Sequence, residues 1–459
     1  MKYIIHTFGC QMNYSDSERI ESFLENLGYK KALSDSSADI IVYNTCSIRQ
    51  KAEDRIFGLM PKIKQLKKQN PNLLVMITGC MVRKSSTRLD IETKTDRLIR
   101  MLPEVDIVFK IDELSSLAGL IRKFEGKNVP EIDEELIDHY FKISPTYAQT
   151  PLNQAFIPVS MGCDKFCTYC IVPFTRGREK SRPIADILSE AEKVAEMGFK
   201  EITLVGQTVN SYGNSVNDRM NLETLEMPQG VEAFSYLLCE LDKLKSLGVE
   251  RIKWTSPHPK DMTSQLIDTM AKLETQMPFL HLPIQSGDNE TLKRMNRPYT
   301  VERYKEIIAE LRKKIPEIAI STDIIVGFCG ESEEEFNNTC EFFKEMNFEF
   351  AYLAQYSERK GTFASKRLKD DVPTEVKKER WNKLNDILRE NSRNALAKYL
   401  GKTERVLFER TSGNSIYGKT PTNKEVKVEM ENVDLSLLGK IIDVEIIATR
   451  EWELIGKIL

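Results

Sequence analysis

Short apolar runs alternate with amphipathic stretches along the first 145 residues. KYIIHTF predicts a strand, and Asp16 to Leu27 predicts a helix with Ile20, Phe23, Leu24 and Leu27 on one face. DIIVYN is a second strand, followed by a helix through Ala52, Ile56, Leu59 and Ile63. NLLVMIT is a third and VDIVF a fourth, followed by the helical LSSLAGLIRKF. Strands alternating with helices imply a parallel, layered α/β sheet. From about 146 to 375 the strand–helix unit repeats, with FIPVSM, EITLVG, RIKWTS, FLHLPIQ, IAISTDIIVGF and FEFAYLAQYS as six strands. Between them lie amphipathic helices; Ile184, Ile187, Leu188, Ala191, Val194 and Ala195, for example, share a face. Six β/α units predict a partial (β/α)6 TIM-like barrel, whose site belongs at the C-terminal strand ends.

The pattern then changes twice. Residues 376–400 fall in a charged helix running from Thr374 to about Tyr399, where Lys377, Lys378, Arg380, Lys383, Arg389 and Arg393 are interspersed with acids. Such a mixture reads as a solvated face. Residues 401–459 carry the short β-like runs ERVLFER, VKVEM, KIIDVEIIAT and ELIGKIL, a small all-β barrel of the kind that binds nucleic acid in OB-like folds. The expected organisation is therefore 1–145, 146–375, a connecting helix over 376–400, and 401–459. A chain of 459 residues accommodates two to three domains.

Charge adds a limit. Lys and Arg total 66 against 69 Asp and Glu, and the net charge of −3 exerts no global pull toward nucleic acid, so any such site is a local patch. No run of 18 apolar residues occurs, and MKYIIHTFGC lacks the apolar core of a signal peptide, so no membrane and a cytoplasmic setting are expected. Nine cysteines, an odd number, suit ligand duty better than structural disulfides.

Two cysteine groups carry the chemistry. Cys163, Cys167 and Cys170 lie within SMGCDKFCTYCIVPFTRG at C-x3-C-x2-C spacing. Three soft thiolates can hold three irons of a 4Fe–4S cubane and leave the fourth iron open to a ligand. A zinc knuckle or three unrelated buried thiols is the competing reading, and zinc sites ordinarily offer four ligands. Cys10, Cys46 and Cys80 each follow one of the first three strands, in FGCQMN, NTCSIR and TGCMVR. Parallel strands end on one side, so these loops converge at the carboxyl edge where open α/β sheets bind ligands. A second three-cysteine iron–sulfur site is expected there. Gly206, Gln207, Ser256, His258, Gln285, Ser286 and Asp323 punctuate the later strand ends and are the candidate cofactor- and substrate-lining set. Arg176, Arg178, Lys180 and Arg182 follow the cysteine loop and are candidates for RNA phosphates, with local ion pairing as the alternative. Tyr417 and Lys419, with Lys424, supply an aromatic and basic mix on the C-terminal barrel. Cys239 and Cys340 fall in helical patterns and read as core packing.

The Cys163–Cys170 spacing resembles the radical S-adenosylmethionine (SAM) superfamily, in which the open iron chelates SAM and one electron yields a 5′-deoxyadenosyl radical. Along essentially the whole chain the order of parts is similar to the methylthiotransferase family, through TFGCQMNYSDSE, YNTCSIRQKAEDR, GCDKFCTYCIVPFTRGREKSRP, TSPHP, LHLPIQSG and STDIIVGF. The C-terminal barrel resembles the TRAM domain of RNA-modifying enzymes. SIRQKAEDR and VPFTRGREKSRP point to the branch acting on carbon 2 of N6-isopentenyl (dimethylallyl) adenosine beside the anticodon of tRNA. The resemblance implies two 4Fe–4S clusters, SAM, a flavodoxin-type electron donor, a monomer, and no acid–base residue at the centre of the chemistry. The triplet Cys163, Cys167 and Cys170 would serve SAM cleavage, and Cys10, Cys46 and Cys80 would hold an auxiliary cluster carrying the sulfur. Alternatives are the branches acting on threonylcarbamoyl-adenosine or a ribosomal-protein aspartate, and, in a different class, a non-catalytic iron–sulfur redox or sensor protein. Two positions depart from the family pattern. Cys329 replaces a proline in the GF-x-GE turn and offers a thiol to oxidation, and Thr208 replaces the asparagine of a GQN motif. The segment after Cys80, SSTRLDIETKTDRLIRMLP, is longer than usual.

Overall fold

The computed structural model describes residues 1–46, 50–89, 97–125, 140–147, 154–215 and 231–459. The side chains of residues 50–53, Ala52 among them, lie outside the described set, as does part of the segment after Cys80. The chain divides into two units. The first is Met1–Gln149 with Met161–Asp164 and Ile171–Arg178; the second is Thr150–Ser160, Lys165–Cys170 and Glu179–Leu459.

The first unit is built on a six-stranded sheet in the order β2-β1-β3-β4-β6-β5. Its strands are β1 (Lys2–Phe8), β2 (Lys30–Lys31), β3 (Ile40–Thr45), β4 (Leu74–Gly79), β5 (Ser86–Thr87) and β6 (Ile107–Val108). All pairings are parallel except β5 with β6. Every residue of β3 and β4 is buried, as expected for strands covered on both faces. Ile41, Tyr43, Val75 and Ile77 pack with Ile56 and Ile63 of the helix Gln50–Gln69. Each such side chain contributes roughly 1.5–3 kcal/mol.

Two expectations change here. The first helix runs Gln11–Asn26 rather than from Asp16, because Cys10 caps it and its N–H donates to Asn13 Oδ1 at 3.1 Å. Ile20, Phe23, Leu24 and Leu27 are buried as the period requires, but so are Asn13, Ser15, Asp16, Ser17, Glu18, Arg19 and Glu21. Hydrogen bonds make that polar face tolerable: Tyr140 Oη donates to Asp16 Oδ1 at 2.7 Å, and Arg19 Nη1 donates to Ser15 Oγ at 2.7 Å. LSSLAGLIRKF divides between a 3-10 segment over Ile111–Ser116, which is kinked at Glu113, and a helix over Leu117–Glu125.

The second unit contains β7 (Gln154–Pro158), β10 (Glu201–Val205), β11 (Arg251–Trp254), β12 (Phe279–His281), β13 (Ala319–Val326) and β14 (Phe350–Gln355). The short strands β8 (Ser160–Met161) and β9 (Lys180–Ser181) flank the cysteine loop in sequence. The six long strands form two parallel three-stranded sheets, β11-β10-β7 and β12-β13-β14, and the parallel bridge Ile252↔Gln276 links β11 to the segment before β12. Helices follow the strands, including Ile184–Glu196, Ala233–Asp242, Ser264–Lys272, Val301–Lys314 and Glu333–Met346. Thr263, Asp288, Thr300 and Ser332 cap helix starts through their side-chain oxygens. Neighbours in sequence are therefore neighbours in space, and all six C-terminal strand ends face one way.

The helix Thr374–Ala397 leads into a closed barrel in the order β15-β16-β17-β19-β18. Its strands are β15 (Thr403–Ser412), β16 (Ser415–Lys419), β17 (Glu425–Glu429), β18 (Ile441–Thr449) and β19 (Glu453–Ile458). Val406, Phe408, Ile416, Val426, Val444, Ile446 and Leu454 fill its interior. On β11, Arg251 donates to the barrel carbonyls of Lys419 at 2.8 Å and of Arg405. No described helix is long and apolar enough to cross a membrane.

Candidate functional site

The register of the first sheet explains why three distant cysteines gather. Phe8 pairs with Thr45, and Thr45 with Gly79, so β1, β3 and β4 end level with one another. Cys46 N–H then donates to Phe8 O at 2.9 Å, and Cys80 N–H to Thr45 O at 3.0 Å. Gly79 makes the last step possible. Its φ is +94°, and a Cβ there would lie 2.2 Å from Thr45 O. Asn13 and Asn44 brace the edge through Asn13 Nδ2 to Asn44 Oδ1 at 2.8 Å.

The thiols are coupled through Cys46. Its hydrogen-bonding interactions with Cys10 and Cys80, together with burial, push its own pKa far up. The bond from Cys46 brings Cys10 down to about 7 despite burial. The same bond, helped by Arg176, brings Cys80 to about 6. Arg176 Nε donates to Cys80 Sγ at 3.2 Å, and its Nη2 lies 2.6 Å from Asp16 Oδ2. Two sulfurs held toward thiolate are the form that binds metal.

Cys163 is buried in the first unit, where its N–H donates to Gly177 O at 3.2 Å. Gly162 before it has φ +81°, and a Cβ there would meet Arg178 O at 2.2 Å. Cys167 and Cys170 lie in the second unit, half-buried, with Cys170 N–H donating to Cys167 O at 3.0 Å. Their segment is pinned to the turn after the helix Asn289–Arg294. Thr168 N–H donates to Met295 O at 3.0 Å, and Asn296 Nδ2 donates to Phe166 O at 2.9 Å. Arg297 Nη1 donates to Cys167 Sγ at 3.3 Å. Sequence reasoning missed Arg297 and Tyr299, which sit in MNRPYT beyond any strand end.

The strand-end candidates separate into groups. Gly206 follows β10, and a Cβ on it would press on Ser160 Oγ at 2.7 Å. Ser256 and Gln285 hold φ of +56° and +80°, costly for residues with side chains and frequent at functional sites. Gln285 joins the sheet through Asp323 O and Ile325 N–H, each at 2.9 Å. Gln207 is half-buried just past β10. Asp323 lies 3.3 Å from His281 Nε2, and His281 also meets Ser321 Oγ at 2.9 Å and the exposed ring of Tyr352 at 5.7 Å. Tyr352, unflagged by sequence, thus joins a polar and aromatic row across β12, β13 and β14. His258 is buried, and Asn210 fixes its backbone from both sides. Its Nδ1 accepts from Lys260 N–H at 3.2 Å, and its Nε2 has no hydrogen-bond partner among the described residues. Ser286 instead bonds Thr339 and Asp288 N–H inside a buried turn, which makes it a builder of that turn rather than a lining residue.

The basic run also divides. Arg176 is 3% exposed and occupied with Asp16 and Cys80, and buried Arg182 pairs with Glu190 at 2.7 Å, so neither presents a surface to phosphate. Arg178, half-exposed and 2.7 Å from Asp164, and exposed Lys180 do reach solvent. On the barrel, Arg410 stacks over Tyr417 at 3.9 Å, and Lys419 lies 3.9 Å from Glu409. Lys424 is 2.5 Å from Glu349. Two cysteine expectations change. Cys239 is exposed because the buried stripe of its helix is Phe234, Leu237, Leu238 and Leu241. Cys329 is 3% exposed beside Phe328 and Tyr356, shielded from oxidants, while Cys340 is buried as expected.

Comparison with known proteins places this arrangement. Residues 157–343 match the Radical SAM superfamily, and residues 2–101 match Uncharacterized protein family UPF0004. The radical S-adenosylmethionine methyltransferase TsrM from Kitasatospora setae, with tryptophan substrate and a SAM analogue bound, shares the fold. Its TM-score is 0.52 at 12% identity, over 77% of this chain and 72% of that one. The chain is thus a radical SAM enzyme with a UPF0004 region at its N-terminal side, a class that implies a 4Fe–4S cluster and SAM.

It is 40% identical over 464 residues to the tRNA-2-methylthio-N(6)-dimethylallyladenosine synthase of Alkaliphilus oremlandii, across 100% of this chain and 93% of that protein. The synthase of the same name from Acetivibrio thermocellus is 37% identical over 460 residues, across 100% and 91%. That of Clostridium tetani is 37% identical over 463 residues, across 99% and 96%. The chain belongs to the family of tRNA-2-methylthio-N(6)-dimethylallyladenosine synthases.

The residues present fit iron–sulfur clusters. Arg297 is a buried cation that donates to Cys167 Sγ, the Tyr299 hydroxyl and the Pro283 carbonyl, so one of its three acceptors is a cluster-type sulfur. Among the described residues no three His, Cys, Asp or Glu side chains gather around a single ion. A cubane does not require that, because each of its irons takes one thiolate.

Proposed function

We propose that this enzyme adds a methylthio group to carbon 2 of N6-dimethylallyl adenosine in tRNA, using two 4Fe–4S clusters and SAM. The observation that carries the reading is the level ending of β1, β3 and β4, which brings Cys10, Cys46 and Cys80 to one sheet edge. Relatives of the same name, alike over the whole chain, support the substrate. When bound, a cluster on Cys163, Cys167 and Cys170 would supply the electron that cleaves SAM, and one on Cys10, Cys46 and Cys80 would carry the sulfur. That division suits the target, since an aromatic C–H bond resists acid–base activation and calls for cofactor chemistry.

The protein's own part is to hold and orient. Gly206, Ser256, Gln285 and His258 shape the strand ends against SAM, with His258 neutral because burial disfavours its charge. Tyr352 and His281 offer stacking and hydrogen-bonding faces to a base splayed from the anticodon loop. Arg178, Lys180, and Tyr417 with Arg410 would meet the RNA backbone and bases. A low-potential donor of the flavodoxin type, a monomeric state and a cytoplasmic setting complete the proposal.

Anaerobically purified protein should carry about eight irons, and Cys46→Ala about four. Cys46→Ala should still form 5′-deoxyadenosine from SAM and dithionite but lose methylthiolation, whereas Cys167→Ala should lose both. Mass spectrometry of tRNA nucleosides decides the substrate. Methylthio-dimethylallyl adenosine persisting in cells without the gene would refute it.

A further inference from the structure

A buried arginine is built against one sulfur of each cysteine set, and the two arginines differ in what balances their charge. Arg176 donates from Nε to Cys80 Sγ at 3.2 Å, while its Nη2 rests 2.6 Å from Asp16 Oδ2. Both of those side chains are 1% exposed or less, and Tyr140 Oη locks the other oxygen of Asp16 at 2.7 Å. Arg297 donates from Nη1 to Cys167 Sγ at 3.3 Å, from Nε to the Tyr299 hydroxyl at 2.5 Å, and from Nη2 to Pro283 O at 3.0 Å. Its ring neighbour is Tyr299 as well, at 5.0 Å. Among the described residues no carboxylate forms an ion pair with Arg297, which is 8% exposed.

The electrostatic consequences differ. A buried guanidinium without a counter-ion is strongly disfavoured, so Arg297 leans on the negative charge of whatever is bound at Cys167. Hydrogen-bond donors and positive charges at ligand sulfurs make an attached cluster easier to reduce, and negative charges oppose this. Arg297 applies a full positive charge, whereas Arg176 with Asp16 applies only the field of a neutralised pair.

We infer that Arg297, and Arg176 with Asp16, are positioning residues that set the order of reduction, so that an electron from a low-potential one-electron donor settles first at the Cys167 set. The inference rests on the reading above that both cysteine sets hold 4Fe–4S clusters. It adds which chain residues separate the two potentials and in which direction.

The experiment is a potentiometric titration, followed by electron paramagnetic resonance, of the anaerobically reconstituted full chain with dithionite as reductant. Signals are assigned with the Cys163/Cys167/Cys170→Ala and Cys10/Cys46/Cys80→Ala proteins. Arg297→Gln should make the Cys167-set cluster about tenfold harder to reduce, a downward shift of about 59 mV for a one-electron couple. Arg297→Lys should restore most of it. Asp16→Asn leaves Arg176 uncompensated and should shift the Cys80-set cluster upward by a similar amount. Opposite shifts at two sites are not what general loosening produces. If Arg297→Gln takes up no cluster, the Asp16→Asn arm decides, and a Cys80-set potential that fails to rise overturns the inference. A wild-type Cys80 set that reduces first, or an unshifted Arg297→Gln, also overturns it while leaving the proposed function standing. Wild-type protein with no clusters would overturn both.

Discussion

Gly79→Ala isolates the link between strand register and the cysteine edge. Gly79 closes β4 directly before Cys80, with φ +94°. A residue with a side chain pays about 1–2 kcal/mol for left-handed backbone. The new Cβ would also stand 2.2 Å from Thr45 O and 2.8 Å from Asn44 Oδ1, far inside contact distance. Relief requires β3 and β4 to part, and overpacking of this sort costs about 1–3 kcal/mol. The expected loss is therefore roughly 2–5 kcal/mol. The shift falls on the Cys80 N–H bond to Thr45 O, so it displaces a proposed cluster ligand as well as loosening the fold. Urea unfolding of the metal-free protein reads the first effect, and iron and sulfide counts read the second, with iron falling from about eight to about four. Gly28→Ala is the control. Its φ is +82° with nothing within 4 Å of the added Cβ, so it should cost only the backbone term and keep its iron. A Gly79→Ala protein that matches the control in both measurements would refute the reasoning.

Three further outcomes follow from particular contacts. Arg251→Gln leaves the barrel carbonyls of Lys419 and Arg405 without their donor and should destabilise the protein by about 2–5 kcal/mol, exposing the barrel to limited proteolysis; unchanged protection would count against that docking role. His258 is held well below the ordinary imidazole pKa by burial and then by Arg297, Lys165 and Lys260. The unfolded chain therefore binds the extra proton below about pH 6.5, and stability falls on acidification by up to about 1.4 kcal/mol per pH unit. His258→Gln should flatten that slope in denaturation at pH values on either side of about 6.5, and an unaltered slope would reject the assignment. Neutralising Arg178 or Lys180 should weaken tRNA binding and reduce its salt dependence by about one counterion each, whereas Arg182→Gln, starting from a buried ion pair with Glu190, should act on stability instead.

What was legible in the sequence was whatever depends on period and chain direction. Six β/α units and three cysteines at parallel strand ends are consequences of local patterning, since a strand's end is marked where its apolar run stops. The buried charges that were missed rest on partners remote in sequence. Arg176 stands in RGREKSR, which reads as a solvated or phosphate-facing run, yet its partners Asp16 and Cys80 lie 160 and 96 residues away. The polar side of the helix Gln11–Asn26 reads as solvent-facing by the same logic but is buried, and its Asp16 is met by Tyr140, 124 residues away. Arg297 meets Cys167 across 130 residues. In each case a charged residue looks exposed until the fold supplies the group that offsets its desolvation. Both cysteine sets have such a residue against them. A stretch whose charges look unremarkable, within a chain whose strand ends are already placed, is therefore where the tuning of a metal site can be hidden from sequence, and burial of an arginine against a cysteine is the structural sign that exposes it.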